Sequence, residues 1–204
     1  MNKVVKAMSR RIIPVKVILA GDGAVGKTTL RKRYMGDKQT SSYIATIGAD
    51  FAKKVNTITL GEEELTVESL IWDLAGQASF TQIRSTFYEG ARGAILVFDI
   101  TRRETFDTAQ KWISEIFENN SLGPIPIIFL ANKQDLRGKS DQALDKEETE
   151  QMIGEIRKWA KNLADFDYKF LETSALTGHH VDEAFKEILL EIFNKSKKKG
   201  RLNL

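Results

Sequence analysis

Cysteine is absent from the sequence, and so is any long apolar run. The absence of cysteine excludes disulfides, thiolate metal sites, a cysteine nucleophile and the thioester or thioether linkages by which lipid anchors are attached. A membrane-spanning helix needs about 18 apolar residues, and no stretch approaches that length. The first residues also lack the apolar core and cleavage pattern of a secretory signal peptide. We therefore expect a soluble, cytoplasmic protein that carries no lipid anchor.

Acidic residues are missing from both ends of the chain. Residues 1–11 hold four basic side chains and residues 195–204 hold five, whereas the whole chain has a net charge of +3. The segment between the two ends therefore has a net charge of −6. The basic ends allow peripheral electrostatic contact with an anionic membrane, and a disordered, solubilising tail is the alternative. A role in nucleic-acid binding would rest on these ends alone, so we expect none.

The composition is sufficient for one globular domain. The 204 residues include 42% hydrophobic and 29% charged residues, which allows a full core. Strand-like aliphatic runs alternate with segments of helical period, as in an α/β domain with a largely parallel sheet. We predict six strands and five helices, with one antiparallel hairpin formed by residues 51–60 and 65–73. We divide the chain into a basic extension (1–12), one domain (13–194) and a basic tail (195–204), and expect a monomer.

A phosphate-binding motif follows the first predicted strand, which covers residues 15–20. Glycines in such a loop let backbone N–H groups approach phosphates, and the helix that follows directs its positive end at them. The lysine would reach the β- and γ-phosphates, and the last hydroxyl would ligate Mg²⁺. An ordinary Gly-rich turn is the alternative, which a complete match in this position disfavours. The pattern G-x-x-x-x-G-K-[ST] is formed by Gly21, Asp22, Gly23, Ala24, Val25, Gly26, Lys27 and Thr28, and Thr29 adjoins it.

A carboxylate ends the strand predicted over residues 65–73. In parallel α/β sheets, ligands bind at the carboxyl edge of the strands, which is where Asp73 and the phosphate-binding loop would both lie. Asp73 could hold a metal ion directly or through water. An N-cap role for the helix that follows is the alternative, and the phosphate-binding motif weakens it.

A second polar loop follows the apolar strand predicted over residues 125–131. The Asp135 carboxylate can accept two hydrogen bonds from the paired N–H groups that distinguish guanine from adenine. Asn132 can connect this loop to its neighbours, and the aliphatic stem of Lys133 can cover the base. A further loop follows the strand predicted over residues 168–172, and its backbone N–H groups can reach the base carbonyl. Its candidate residues are Ser174, Ala175 and Leu176.

In this order and on these strand ends, the four segments resemble those of the small GTPases of the Ras superfamily. The resemblance covers about residues 15–193. It is greatest to the Rab branch, on the sequences of residues 43–51, 72–77, 87–91 and 98–101. It implies a P-loop NTPase G domain that acts as a GTP/GDP switch, with slow Mg²⁺-dependent hydrolysis and a Rab-like role at membranes. A nucleotide-gated module that binds effectors with negligible hydrolysis is the alternative.

The resemblance also implies roles for particular residues. Thr46 lies eighteen positions after the last residue of the phosphate-binding motif and would be the second hydroxyl ligand of Mg²⁺. Asp73 would hold the metal through water, and Gly76 would contact the γ-phosphate. Gln77 would orient the attacking water while Lys27 neutralises charge. The catalytic residues would thus be Gln77, Lys27 and Thr46.

The same resemblance locates the protein partners. Effector, exchange and activating proteins would bind through residues 39–51 and 72–88. Phe51, Trp72 and Phe87 match the aromatic triad by which Rab-like proteins contact effectors. Simple packing of these side chains is the alternative, because aromatic residues bury well in any role.

The sequence departs from the family pattern in several places. Gln39 stands where an aromatic ring usually covers the guanine, so we expect faster nucleotide release. Ala78 replaces an acid that helps exchange factors. Residues 137–150 form an added polar stretch, which we interpret as a loop insertion before the fourth helix. No motif of the sequence places an arginine of this chain to assist hydrolysis. Gly23 leaves room for an arginine that a partner protein supplies.

Overall fold

The computed structural model describes residues 12–37 and 46–198. The predictions for Gln39, for the first eleven residues and for residues 199–204 lie outside the described part of the chain. Within that part, no helix combines the length and the apolar composition needed to cross a membrane.

Six strands form one sheet in the order β2-β3-β1-β4-β5-β6. Only β2 and β3 pair in antiparallel fashion, and every other neighbouring pair is parallel. The predicted α/β fold, with a mostly parallel sheet and one hairpin, is therefore confirmed. In chain order the strands are β1 (Ile12–Ala20), β2 (Ala49–Leu60), β3 (Glu63–Leu74), β4 (Gly93–Asp99), β5 (Ile127–Asn132) and β6 (Phe170–Glu172).

The five predicted helices are present, one of them as two consecutive pieces. The helical spacing of apolar residues in segment 104–119 predicts one helix. In the structure this helix is interrupted at Thr108 and forms α3 and α4. Short 3₁₀ turns at Ala78–Phe80 and Gln134–Leu136 follow β3 and β5. The helices are α1 (Lys27–Tyr34), α2 (Thr81–Ser85), α3 (Glu104–Asp107), α4 (Ala109–Glu118), α5 (Lys146–Leu163) and α6 (Val181–Lys198).

The sheet is covered on both faces. All residues of β4 are buried, and because side chains alternate along a strand they serve two separate cores. Leu96 and Phe98 belong to the core that includes α4 and α5. Ile95 and Val97 belong to the core that includes α1 and α6. This explains why β4 is an almost purely apolar run in the sequence.

Two predicted boundaries differ from the structure. Residues 137–150 are not all loop, because α5 begins at Lys146. Asp145 caps this helix: its side chain accepts a hydrogen bond from Glu148 N at 2.8 Å, and the Glu148 carboxylate accepts one from Asp145 N at 3.0 Å. This capping box stabilises the first turn and places the start of α5 inside the stretch that we interpreted as a loop insertion.

β1 also begins earlier than predicted, at Ile12, so Pro14 lies inside the strand. This stretch of β1 pairs with β3, whereas pairing with β4 starts only at Val17. A proline is tolerated here because one side of the strand has no ladder to which its missing N–H would donate.

Candidate functional site

The loops that follow β1, β3, β5 and β6 meet at the carboxyl edge of the sheet. Asn132, at the end of β5, connects two of them directly. Its Nδ2 donates to the Val25 carbonyl at 2.8 Å, and its Oδ1 accepts from Ala175 N at 3.0 Å. The buried amide therefore fixes the phosphate-binding loop against the loop after β6.

The phosphate-binding loop is held in a tight conformation around Lys27. The buried Lys27 ammonium donates to the carbonyls of Gly21 at 2.6 Å and Asp22 at 2.7 Å. Burial lowers the pKa of Lys27 to about 8, and nearby carboxylates offset only part of that effect. Gly26 has a φ of 104° and caps α1 without a side-chain hydrogen bond. The first turn of α1 holds no acidic residue that would repel an anion at this helix end.

An oxygen-rich cluster lies beside this loop. The Thr28 hydroxyl donates to Asp73 Oδ2 at 2.5 Å and lies 3.1 Å from the Thr46 hydroxyl. Asp73 is fully buried, its Oδ1 has no hydrogen-bond partner among the described residues, and burial raises the pKa of its carboxyl. The described residues hold no group of three His, Asp or Glu side chains that could bind a metal. Two hydroxyls and one orphaned carboxylate oxygen fit a hard cation such as Mg²⁺, which completes its shell with phosphates and water.

Gly76 and Gln77 follow β3 and face the phosphate-binding loop. A Cβ at Gly76 would lie 2.4 Å from the backbone carbonyl carbon of Asp22, so only glycine fits. The Gln77 side chain is exposed, and its Cγ lies 3.7 Å from the position that a Cβ on Gly23 would occupy. Its side chain is therefore next to the loop and accessible to water.

The candidate base-binding residues come together after β5 and β6. The Ser174 hydroxyl donates to Asp135 Oδ1 at 2.5 Å, which orients that carboxylate. Lys133 has a φ of 68°, and its ammonium lies 2.6 Å from Asp99 Oδ2. Leu176 is half exposed, and its carbonyl accepts a hydrogen bond from Arg33. The structure thus gives Ser174 a side-chain contact in addition to the backbone role that we predicted.

Sequence reasoning missed Asp99 and Arg102. Asp99 ends β4, is fully buried, and pairs with both Lys133 and Arg102, the latter at 3.0 Å from Nε. The Nη2 atom of Arg102 donates to the Gly23 carbonyl at 2.7 Å. Asp99 therefore connects the base loop with the phosphate-binding loop. A carboxylate that ends a central, wholly apolar strand was the available signal.

A buried network behind the site was also missed. The Arg84 guanidinium pairs with Glu115 at 2.8 and 2.9 Å and donates to the Ala75 and Gln77 carbonyls. It also lies 4.1 Å from the centroid of the Trp112 ring. Motifs give no signal for this network, because it joins α2 to α4 through side chains alone.

Trp112 extends this network to the phosphate-binding loop. Its indole Nε1 donates to Asp22 Oδ1 at 2.7 Å, and the Thr108 hydroxyl donates to the same atom at 3.0 Å. The segment that carries Gln77 and the phosphate-binding loop are therefore both anchored on α4.

Three aromatic rings form a row on the surface of the sheet hairpin and α2. The centroids of Phe51 and Trp72 are 5.1 Å apart, and those of Trp72 and Phe87 are 5.4 Å apart. Phe51 is 41% exposed, whereas Trp72 and Phe87 are partly buried and pack against the core. The aromatic triad therefore reaches from the edge of the core to the surface.

Comparison with known proteins agrees with this geometry. A model of the Ras family matches residues 16–194. The chain is 37% identical over 181 residues to Ras-related protein Rab-13 of Rattus norvegicus, across 89% of this chain and 81% of the relative. It is 38% identical over 191 residues to Ras-related protein Rab11A of Nicotiana tabacum, across 91% of this chain and 78% of the relative. It is 39% identical over 185 residues to Ras-related protein RABA4a of Arabidopsis thaliana, across 91% and 74%. The chain therefore belongs to the Ras family and is a small GTPase.

Proposed function

We propose that the chain is a GTP/GDP-controlled switch that hydrolyses GTP slowly and with the help of Mg²⁺. The observation that best supports this is the orphaned Asp73 Oδ1, which is buried beside the hydroxyls of Thr28 and Thr46. A buried carboxylate oxygen without a partner costs free energy unless a ligand satisfies it. A cation bound to the phosphates of a nucleotide would do so.

The residues around the phosphates would have separate roles in binding the metal ion and the phosphate groups. Thr28 and Thr46 would hold Mg²⁺ by their hydroxyls, and Asp73 would hold it directly or through water. When bound, the ion would neutralise the charge that develops on the β- and γ-phosphates. Lys27 would exchange its two loop carbonyls for phosphate oxygens, and Gly76 would contact the γ-phosphate through its backbone N–H. The anion would lie at the start of α1, the positive end of that helix.

Gln77 would orient the attacking water. Its side chain is exposed next to Gly23, while its backbone carbonyl is held by Arg84 at 3.1 Å. This arrangement fixes the backbone and leaves the amide free to approach a water molecule. A positioned side chain of this kind acts through geometry, as expected for phosphoryl transfer.

Guanine would be recognised by the loops after β5 and β6. Asp135 would accept two hydrogen bonds from the base, and Ser174 holds its carboxylate in place. The backbone N–H of Leu176 would address the base carbonyl, whereas the N–H of Ala175 donates to Asn132 Oδ1 at 3.0 Å. Lys133 would cover the base with its stem while its ammonium stays paired with Asp99.

Effectors would dock on the row of aromatic rings. Phe51 presents exposed apolar surface and contacts Trp72, which in turn contacts Phe87, and exposed apolar surface of this kind is typical of a protein-binding site. Exchange and activating proteins would approach through residues 39–51 and 72–88. The kinship to Rab proteins supports a role in membrane traffic.

We also propose that residues 13–194 form the G domain and that the two basic ends contact anionic membranes. α6 continues to Lys198, so part of the basic tail is helical. Each basic residue near an anionic surface is worth about 1 kcal/mol. Co-sedimentation with vesicles, with and without anionic lipid, tests this when the full chain is compared with residues 12–194. Equal binding of the two forms would contradict it.

Two measurements test the switch itself. Mass spectrometry of the purified protein should find GDP or GTP in a one-to-one complex, and the absence of guanine nucleotide would overturn the proposal. Single-turnover hydrolysis of GTP should then slow at least about tenfold in Gln77→Leu, since an interaction of the transition state is removed. Gln82→Leu, an exposed glutamine in α2, is the matched control and should retain the wild-type rate. Nucleotide binding without measurable hydrolysis would instead favour a pure binding module.

A further inference from the structure

Arg31 lies next to the candidate metal site, although no motif assigns it a role. It follows Thr28 by three residues, about one turn along α1, and only 10% of its side chain is exposed. Its Nε is buried, has no hydrogen-bond partner among the described residues, and lies 3.9 Å from Asp73 Oδ2. Its Nη2 forms an ion pair with Asp50, at the start of β2.

We propose that Arg31 is a resident counter-ion of the metal site, which offsets the charge of Asp73 without Mg²⁺ and weakens Mg²⁺ binding. This inference rests on the proposed function, since it takes Asp73 and Thr28 as metal-binding residues. Two cations then share one buried carboxylate. Arg31 and Mg²⁺ repel each other, so each reduces the favourable free energy that the other gains from Asp73. Burial limits the screening of this repulsion by water and salt.

Asp50 sets the strength of this competition. Its carboxylate is 55% exposed and pairs with Nη2 of Arg31. Asp50 therefore offsets part of the positive charge of Arg31 and weakens the interaction of Arg31 with Asp73. Without Asp50, Asp73 would be the remaining carboxylate beside Arg31. Removal of Arg31 and removal of Asp50 should therefore shift Mg²⁺ affinity in opposite directions.

The measurement is the release rate of a fluorescent GDP analogue from the full chain, titrated against free Mg²⁺. Arg31→Gln should move the midpoint of this titration to roughly tenfold lower free Mg²⁺, since a like charge is removed from a buried site. Arg31→Lys keeps the charge and should stay within about threefold of wild type. Arg103→Gln, which removes an exposed arginine, is the matched control and should not move the midpoint.

Asp50→Asn should move the midpoint several-fold to higher free Mg²⁺. In the Arg31→Gln background the same substitution should have a much smaller effect, because Asp50 would act through Arg31. An equal effect in both backgrounds would mean that Asp50 acts on the metal by itself, and it would overturn this part of the inference.

Thermal unfolding gives a readout that does not depend on release or hydrolysis. With EDTA, Arg31→Gln leaves Asp73 without its counter-ion and should lower Tm, whereas excess Mg²⁺ should make that decrease in Tm smaller.

If Arg31→Gln does not fold, the Mg²⁺ midpoints of Arg31→Lys and Asp50→Asn still test the inference. If Arg31→Gln folds and binds GDP but its Mg²⁺ midpoint is unchanged, this inference is overturned and the proposed function still stands. Failure of the wild type to bind GDP would overturn the proposed function and this inference with it.

Discussion

The two sides of the candidate site are built differently. On the base side, which comprises the loops after β5 and β6, Asn132 has partners for both ends of its amide, and Ser174 holds Asp135. On the metal side, which comprises Thr28, Arg31, Thr46 and Asp73, two buried polar atoms have no hydrogen-bond partner among the described residues. The Asn132 and Asp135 side chains of the base side are therefore already held before any ligand arrives. The metal side depends on a ligand to satisfy its buried groups.

The largest effect should follow from breaking the base side. Asn132→Ala removes hydrogen bonds to Val25 and Ala175 and leaves both backbone groups buried and unsatisfied. We expect a loss of about 3 kcal/mol in the free energy of unfolding, measured by urea denaturation without nucleotide. Gln151→Ala, at an exposed position of α5, should stay within about 0.5 kcal/mol of wild type. If the free energy of unfolding of Asn132→Ala fell no more than that of the control, the hydrogen bonds of Asn132 would not stabilise the base side.

The link between the two sides should give the next effect. Arg102 joins Asp99 to the Gly23 carbonyl, so Arg102→Gln should loosen the phosphate-binding loop. A hydrogen bond from a charged donor is worth about 1.5 kcal/mol, which corresponds to roughly tenfold faster release of bound GDP. Release of a fluorescent GDP measures this at saturating Mg²⁺. Arg103→Gln serves as the control, and an identical release rate in both variants would exclude a role for Arg102.

Sequence and structure agree best where local pattern decides the outcome. The apolar run of β4 and the glycine loop before α1 are local signals, because burial and turn geometry restrict the residues allowed there. The order of the strand ends then follows from the topology of parallel α/β sheets. This is why Asp73 and Asn132 could be expected at one edge before the structure was known.

The remaining contacts depend on which side chains meet across the fold. Arg84 and Glu115 are 31 positions apart, and Arg102 and Gly23 are 79 apart. No local pattern pairs them, since each looks like an ordinary surface charge in its own segment. The start of α5 was different, because Asp145 and Glu148 form a recognisable capping box that could have corrected the predicted loop.

A smaller effect should follow from a change on the metal side. Asp73→Asn removes a buried charge whose Oδ1 has no partner, and Thr28 can still donate to the new carbonyl. Arg31 keeps its ion pair with Asp50 in this variant, so the free energy of unfolding in EDTA should change by no more than about 1 kcal/mol. In the same variant, GDP release should lose its dependence on Mg²⁺. A destabilisation as large as that of Asn132→Ala would mean that both sides are equally complete without ligand.

The smallest effect concerns pH and the residue that joins the two sides. Burial acts to raise the pKa of Asp99, but hydrogen bonds from Lys133 and Thr101 outweigh it and hold the pKa below 3.8. A carboxyl whose native pKa is depressed stabilises the fold above its unfolded pKa and loses that contribution as the pH falls through the native value. As the pH falls below about 4, the usual pKa of an aspartate, Asp99→Asn should therefore lose stability less steeply than the wild type, in urea unfolding at each pH. Asp141→Asn, an exposed acid, is the control. If the slope for Asp99→Asn matched that of the control, the Asp99 ion pairs would contribute nothing to the stability of the fold.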